Sequence, residues 1–279
     1  VFFPAEEAYY SRETSSLGMA IADVHGMKRF LVSVLLIAPA LAGAQPLLDF
    51  RNDLAFTSGE IDALAAQEYA ARLSTLARSG RLDRDPSVQA RLSGILMRLH
   101  RAAAYERPSA ARLAWEIHTC SACDENASAM AGGKLLVSTD FIADNALTDD
   151  ELAYLLAHEM AHVLAEHTRE FSTIARFFLG NGLNRGYDDI HQELEENLPV
   201  LLRMGPDNVQ QELEADYIGL VLGARAGFTP EAMLSLLVKL RTGERPLFDT
   251  HPGDIRREEH ARAMLETGRR LAARARAER

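Results

Sequence analysis

Apolar residues recur at intervals of three and four from Ser58 to Ser79 and again from Pro86 to Tyr105, the spacing that keeps one face of an α-helix apolar. In the first stretch Ile61, Leu64, Ala65 and Tyr69 form the stripe, and only Glu68 interrupts it. Ser58-Gly59 and Asp85-Pro86 supply the turn signals at the boundaries, so two amphipathic helices are predicted. Between Arg112 and Ser138 the pattern shortens to stretches such as Leu113–Ile117 and Leu135–Val137, separated by Asp, Asn and Gly-Gly. That pattern predicts a small sheet with a hairpin turning at Gly132-Gly133. Thr148 and Glu151 then make a Thr-x-x-Glu capping box ahead of Leu152–His158. The helix that follows is apolar nearly all round and is therefore expected to be buried. Further helices are predicted over Val209–Ala226, stopped by Gly227, and over Pro230–Arg241 and Arg256–Arg274. The span from Gly180 to Pro206 is rich in Gly, Asn and Asp and reads as less regular. With no internal repeat, the chain is expected to be α+β and mainly helical.

Composition agrees with one folded domain: of 279 residues 47% are hydrophobic and 25% charged. The net charge of −10, with no long Lys/Arg block, excludes a nucleic-acid partner. Met27-Lys28-Arg29, the apolar run Phe30–Leu41 and Ala42-Gly43-Ala44 have the order of a secretory signal peptide. The run is shorter than the roughly 20 residues that cross a bilayer, which favours cleavage over a permanent membrane span. The expected organisation is a non-native extension over 1–26, a signal peptide over 27–44 and a single domain over 45–279. Cys120 and Cys123 form one C-x-x-C. Export favours a local disulfide, with free thiols or a redox or metal role as alternatives.

The buried helix carries His158-Glu159-Met160-Ala161-His162, an H-E-x-x-H. Two histidines four apart share a helical face and can bind one metal ion, while the intervening glutamate can reach a water on it. Two unpartnered imidazoles and a carboxylate on an apolar buried helix would be costly to desolvate, so packed core histidines are disfavoured. Histidine and carboxylate ligation suits zinc, with manganese or iron also compatible. A metzincin would place Gly at 165 and His at 168, where this chain has Ala165 and Thr168. His167, far around the helical wheel from the other two, is expected to have a surface or packing role. Fifty residues beyond His162, Glu212 and Asp216 are four apart on one helical face, and Glu214 points elsewhere. Glu212 is the expected third ligand and Asp216 the acceptor that orients a ligand imidazole. Gln192-Glu193-Leu194-Glu195 repeats the same four letters but has Asn197 where Asp216 would fall, which leaves Glu193 the lesser candidate.

H-E-x-x-H followed by Glu212, Glu214, Ala215, Asp216 and Gly219 resembles the HtpX and CAAX-prenyl-protease type of zinc metallopeptidases. Asn126-Ala127 ahead of Gly132-Gly133 is similar to that family's edge-strand hairpin. Thr250-His251-Pro252 with Arg257 is similar to its H-P-x-x-x-x-R element, and Ala226-Gly227-Phe228 to the turn after its ligand helix. The resemblance covers about residues 60–265. It implies a gluzincin core, one zinc ion per chain held by His158, His162 and Glu212, and Glu159 as general base. A polypeptide substrate would lie along the edge strand, with Asn126, Ala127, Gly132, Gly133 and Arg257 as substrate-binding residues. His251 would assist the oxyanion or block the site; its other reading is a turn histidine before Pro252. The implied function is hydrolysis of unfolded or misassembled envelope proteins in the bacterial periplasm. The alternatives are a chaperone-like binding module with a latent or structural metal site, and a zinc hydrolase of a non-peptide substrate.

Overall fold

Helix α1 (Ser58–Arg78) starts where expected, on a capping box in which the Thr57 hydroxyl accepts from the Glu60 amide and the Glu60 carboxylate accepts from the Thr57 amide. Asp85 caps α2 (Pro86–Glu106) with its side chain alone, accepting from the amides of Ser87 and Val88, with Pro86 in the first turn. The computed structural model describes residues 54, 56–123, 125–179, 193, 197–242 and 255–278, all within the unit Leu48–Arg279. The expected N-terminal extension, the signal peptide and His251 lie outside the described residues.

A 3-10 turn (Pro108–Arg112) leads into three short strands, β1 (Glu116–Cys120), β2 (Ala127–Met130) and β3 (Lys134–Ser138). They lie in the order β1-β3-β2, with β1 parallel and β2 antiparallel to β3. The hairpin turns at the predicted Gly132-Gly133, and both glycines have positive φ, which L side chains avoid. The first strand starts three residues later than the Leu113–Ile117 stretch implied. A disulfide joins Cys120 at the end of β1 to Cys123. Helix α1 packs on the sheet, and the Tyr69 hydroxyl donates to the Leu135 carbonyl at 2.6 Å.

After the short α3 (Thr139–Asp144), the Thr148 capping box starts α4 (Asp149–Leu164). Its residues Leu152–Ala161 are all buried, as the apolar sequence requires. Helix α5 (His167–Phe178) follows, then α6 (Leu198–Arg225), α7 (Glu231–Thr242) and α8 (Ile255–Ala277). α4 touches α2, α5, α6, α7 and β2, and so forms the centre of the core. Two of these elements depart from expectation. α6 begins at Leu198 instead of Val209, because Asn197 caps it by accepting from the Val200 amide and the helix runs on through Gly205-Pro206. α5 is separated from α4 by Glu166 in the left-handed region (φ 57°), a break for which the sequence carries no glycine.

The crossing of α4 and α6 depends on two glycines of α6. A Cβ at Gly219 would lie 3.2 Å from the His158 amide nitrogen, and one at Gly223 only 2.4 Å from the buried Tyr154 ring. α7 is tied to the start of α4 through Glu151, which accepts from Ser235 Oγ at 2.5 Å and Lys239 Nζ at 2.9 Å. Burial works against the Glu151 charge, but these bonds and those from Thr148 outweigh it and lower its pKa from 4.5 to about 2. A lowered folded pKa contributes stability that is complete above the unfolded value and is lost as pH falls. Glu151→Ala should therefore cost about 2 kcal/mol in urea unfolding at pH 7. The deficit should shrink as pH falls from 4.5 toward 2; a deficit independent of pH across that window would refute the linkage.

Candidate metal centre

His158 and His162, one turn apart on α4, direct their Nε2 atoms into the same space, 3.1 Å from each other. Glu212 on α6 brings Oε2 to 3.4 Å from the first and Oε1 to 3.3 Å from the second. Among the described residues these three make a group whose donor atoms all lie within 4.8 Å of one another, and Glu193 is not part of it. Glu159, next to His158 on α4, is 3% exposed and close enough to Arg257 to stabilise its charge.

The residues around this group fix its orientation. Asp216 Oδ1 lies 3.0 Å from His158 Nδ1, so the imidazole donates from Nδ1 and leaves Nε2 for the shared space. Arg257 on α8 donates to both Asp216 oxygens, at 2.8 Å from Nε and 2.7 Å from Nη2, and its Nη1 is 2.8 Å from Glu212 Oε2. Burial raises the Asp216 pKa, but the Arg257 hydrogen bonds and then His158 more than reverse this and hold it low. Burial likewise works against the Arg257 charge, which Asp216, Glu212 and Glu159 hold in place.

The donor set fits a divalent cation. Glu159, Glu212 and Asp216 are three buried carboxylates whose charges bear on one buried guanidinium, Arg257. Carboxylates gathered away from water favour a nearby positive charge. His158 registers the same field: burial lowers its pKa, but the Glu212 charge and hydrogen bonds with Asp216 and Glu212 raise it to about 9. Two imidazole nitrogens and a carboxylate are the donors zinc takes in hydrolases.

A family model for peptidase family M48 matches residues 86–265. The chain belongs to that family. Mitochondrial metalloendopeptidase OMA1 of Saccharomyces cerevisiae is 33% identical over 184 residues, 58% of this chain and 52% of that protein. Metalloprotease LoiP of Escherichia coli is 29% identical over 154 residues, 51% of this chain and 59% of the relative. OMA1 of Arabidopsis thaliana is 31% identical over 149 residues, 52% of this chain and 30% of its own length. The chain thus spans about half the length, or less, of these curated relatives.

The M48 match takes in the predicted site residues, and the structure places most of them. His158, His162 and Glu212 come together, with Glu159 and Asp216 beside them. Asn126 and Ala127 stand at the start of β2, Gly132 lines a cavity beside His162, and Gly133 packs against the Trp115 ring. Arg257 is placed differently from the substrate-binding expectation. It is 3% exposed and clamped to Asp216 and Glu212, which leaves it no surface to offer a peptide. His167 takes the packing alternative, not the surface one, and stays outside the donor group: it is buried, with Nδ1 2.8 Å from His162 Nδ1 and Nε2 3.3 Å from Glu214 Oε2. The wheel argument that set it aside assumed one continuous helix, and Glu166 breaks that helix. The signal available in sequence was the pairing of a third histidine close behind the motif with a second carboxylate close behind Glu212.

Removing the guanidinium would strand two buried carboxylates. Arg257→Leu should lower stability by about 3–5 kcal/mol in chelator-treated protein. The loss should be smaller with saturating zinc, as measured by urea unfolding in both conditions. Equal losses would show that Arg257 and a bound cation do not share the same charges.

Proposed function

We propose that this chain is a zinc-dependent endopeptidase acting on unfolded or misassembled polypeptides of the cell envelope after export. The observation that carries the reading is the convergence of His158 Nε2, His162 Nε2 and the Glu212 carboxylate beside Glu159 on a buried helix. Zinc held there would supply Lewis-acid polarisation of a scissile carbonyl and would acidify water. Glu159, whose carboxylate needs no role in a purely structural site, takes a proton from the attacking water and returns it to the leaving amine nitrogen. His158, His162 and Glu212 hold the cation; Asp216 and Arg257 keep His158 and Glu212 in place.

The sheet supports a polypeptide substrate. The Ser138 amide donates to the Asn126 carbonyl at 2.9 Å, which fixes the alternation of the antiparallel ladder. Ser128 and Met130 then bond to β3, while Ala127 and Ala129 turn their peptide groups to the open edge. An extended peptide can pair there through its own backbone, with little dependence on side chains. A cavity of about 250 Å³ beside His162, bordered by Gly132, Asp62 and Leu113, offers room for one substrate side chain. Export to the periplasm rests on the signal-like order of residues 27–44; the relatives named OMA1 are mitochondrial by name.

Glu159→Gln should retain zinc and fold but lower casein cleavage by about 10²–10⁴-fold. The parent's cleavage should be abolished by a chelator and restored by zinc. Activity surviving in Glu159→Gln would remove the assigned base. Silence from both proteins, with zinc bound, would favour the chaperone-like reading.

A further inference from the structure

We propose that His167 and Glu214 form a positioning relay for the second ligand imidazole, doing for His162 through one intervening ring what Asp216 does directly for His158. The inference rests on the metal-site reading above and extends it to two residues that reading does not use.

The hydrogen positions decide the argument. His167 Nδ1 and His162 Nδ1 are 2.8 Å apart, so one of the two nitrogens donates and the other accepts. His167 Nε2 faces Glu214 Oε2 at 3.3 Å, and an ionised carboxylate only accepts. If His167 donates through Nδ1 as a neutral ring, its Nε2 lone pair is turned on the Glu214 carboxylate and two acceptors oppose each other. If His162 donates instead, as it must once its Nε2 is committed to a cation, His167 Nδ1 accepts and its Nε2–H donates to Glu214, and both contacts of His167 are satisfied. That second arrangement places the only ring proton of His162 on Nδ1. Its Nε2, 3.3 Å from Glu212 Oε1 and 3.1 Å from His158 Nε2, then presents a lone pair where a cation would bind.

The backbone is arranged to allow this. Continued as a helix, α4 would carry position 167 about 140° around the axis from 162. The left-handed Glu166 ends α4 and starts α5 at His167, returning that ring to within 4.8 Å of the His162 ring at 72° between planes. Glu166 is itself held: its carboxylate accepts from Ser58 Oγ at 3.2 Å and Arg169 Nη1 at 2.7 Å. α6 therefore serves both imidazoles, Asp216 directly and Glu214 through His167. The His167 side chain is 3% exposed and that of Glu214 26%, so the carboxylate can be changed with little disturbance of packing.

The test measures zinc affinity by chelator competition, together with the visible spectrum of the cobalt-substituted protein. It compares the parent with His167→Phe, His167→Gln and Glu214→Ala. Phe keeps bulk but cannot accept from His162 Nδ1–H, whereas the Gln side-chain oxygen can. His167→Phe should lose about 10- to 100-fold in affinity and shift the cobalt spectrum, and His167→Gln should recover most of both. Affinity in His167→Phe within about threefold of the parent would overturn the relay. So would equal losses in Phe and Gln accompanied by equal falls in metal-free Tm, which would mean that the ring only packs. Should His167→Phe not fold, Glu214→Ala decides: a loss of about 3- to 10-fold supports the relay and an unchanged affinity overturns it. A parent that takes up no zinc would overturn this inference and the peptidase reading together. Normal zinc uptake with unaffected variants would sink the relay alone.

Discussion

The close crossing of α4 and α6 is the constraint on which the rest of this structure depends. Gly219 sits against the backbone of His158 and Gly223 against the Tyr154 ring, with no room between for even a methyl group at the second. At an ordinary interhelical distance of 8–10 Å, larger side chains at these positions would hold Glu212 and Asp216 away from His158. Small residues a helical turn apart let a carboxylate-bearing face of one helix reach the imidazoles of another. The site is thus set by packing on the far side of the histidines as much as by the histidines themselves.

That packing confines several charges to a space with little water, and the arrangement of partners follows from the need to compensate each of them. Arg257 spans Glu212 and Asp216 from beneath, and Asp216 in turn spans Arg257 and His158. Breaking one contact would leave others exposed to the same desolvation cost, so α4, α6 and α8 are tied together through polar contacts as well as apolar ones. A divalent cation would complete the balance. Cation binding and folding of this region would then be thermodynamically linked, since a charge held in a folded site stabilises the fold that makes it.

Much of this was legible in the sequence because it rests on short-range spacing. Helical periodicity, with the Ser58-Gly59 turn signal for α1 and the Thr148 capping box for α4, gave both helices nearly to the residue, and Gly132-Gly133 gave the hairpin. H-E-x-x-H gave two of the donors, and the four-residue spacing of Glu212 and Asp216 gave a pair able to face them together. The resemblance to the HtpX type placed that pair beyond the motif with the right order and spacing. Arg257 was found in sequence but given the wrong surroundings, because an H-P-x-x-x-x-R spacing does not tell whether the arginine faces solvent or the underside of a ligand set. The early start of α6 was hidden by the composition of the span from Gly180 to Pro206, which read as less regular although the Asn197 cap lies within it. His167 was hidden by Glu166, a residue type that seldom adopts the left-handed region.

The left-handed Glu166 has a structural consequence. A glycine there would have been readable as a helix end, and it would also have enlarged the conformational freedom of the unfolded chain at the joint between α4 and α5. Glutamate adopts the strained conformation because its carboxylate is bound by Ser58 at the start of α1 and by Arg169 on α5. The joint that aims His167 at His162 is in this way fastened to the first helix of the domain, whose start also borders the cavity beside His162. Distant segments of the chain thus meet at one corner: α1, the β2–β3 turn and the end of the motif helix. A peptide entering along β2 toward His162 would meet all three there, so the shape of that corner is the part of the molecule best placed to select among side chains that backbone pairing alone does not distinguish.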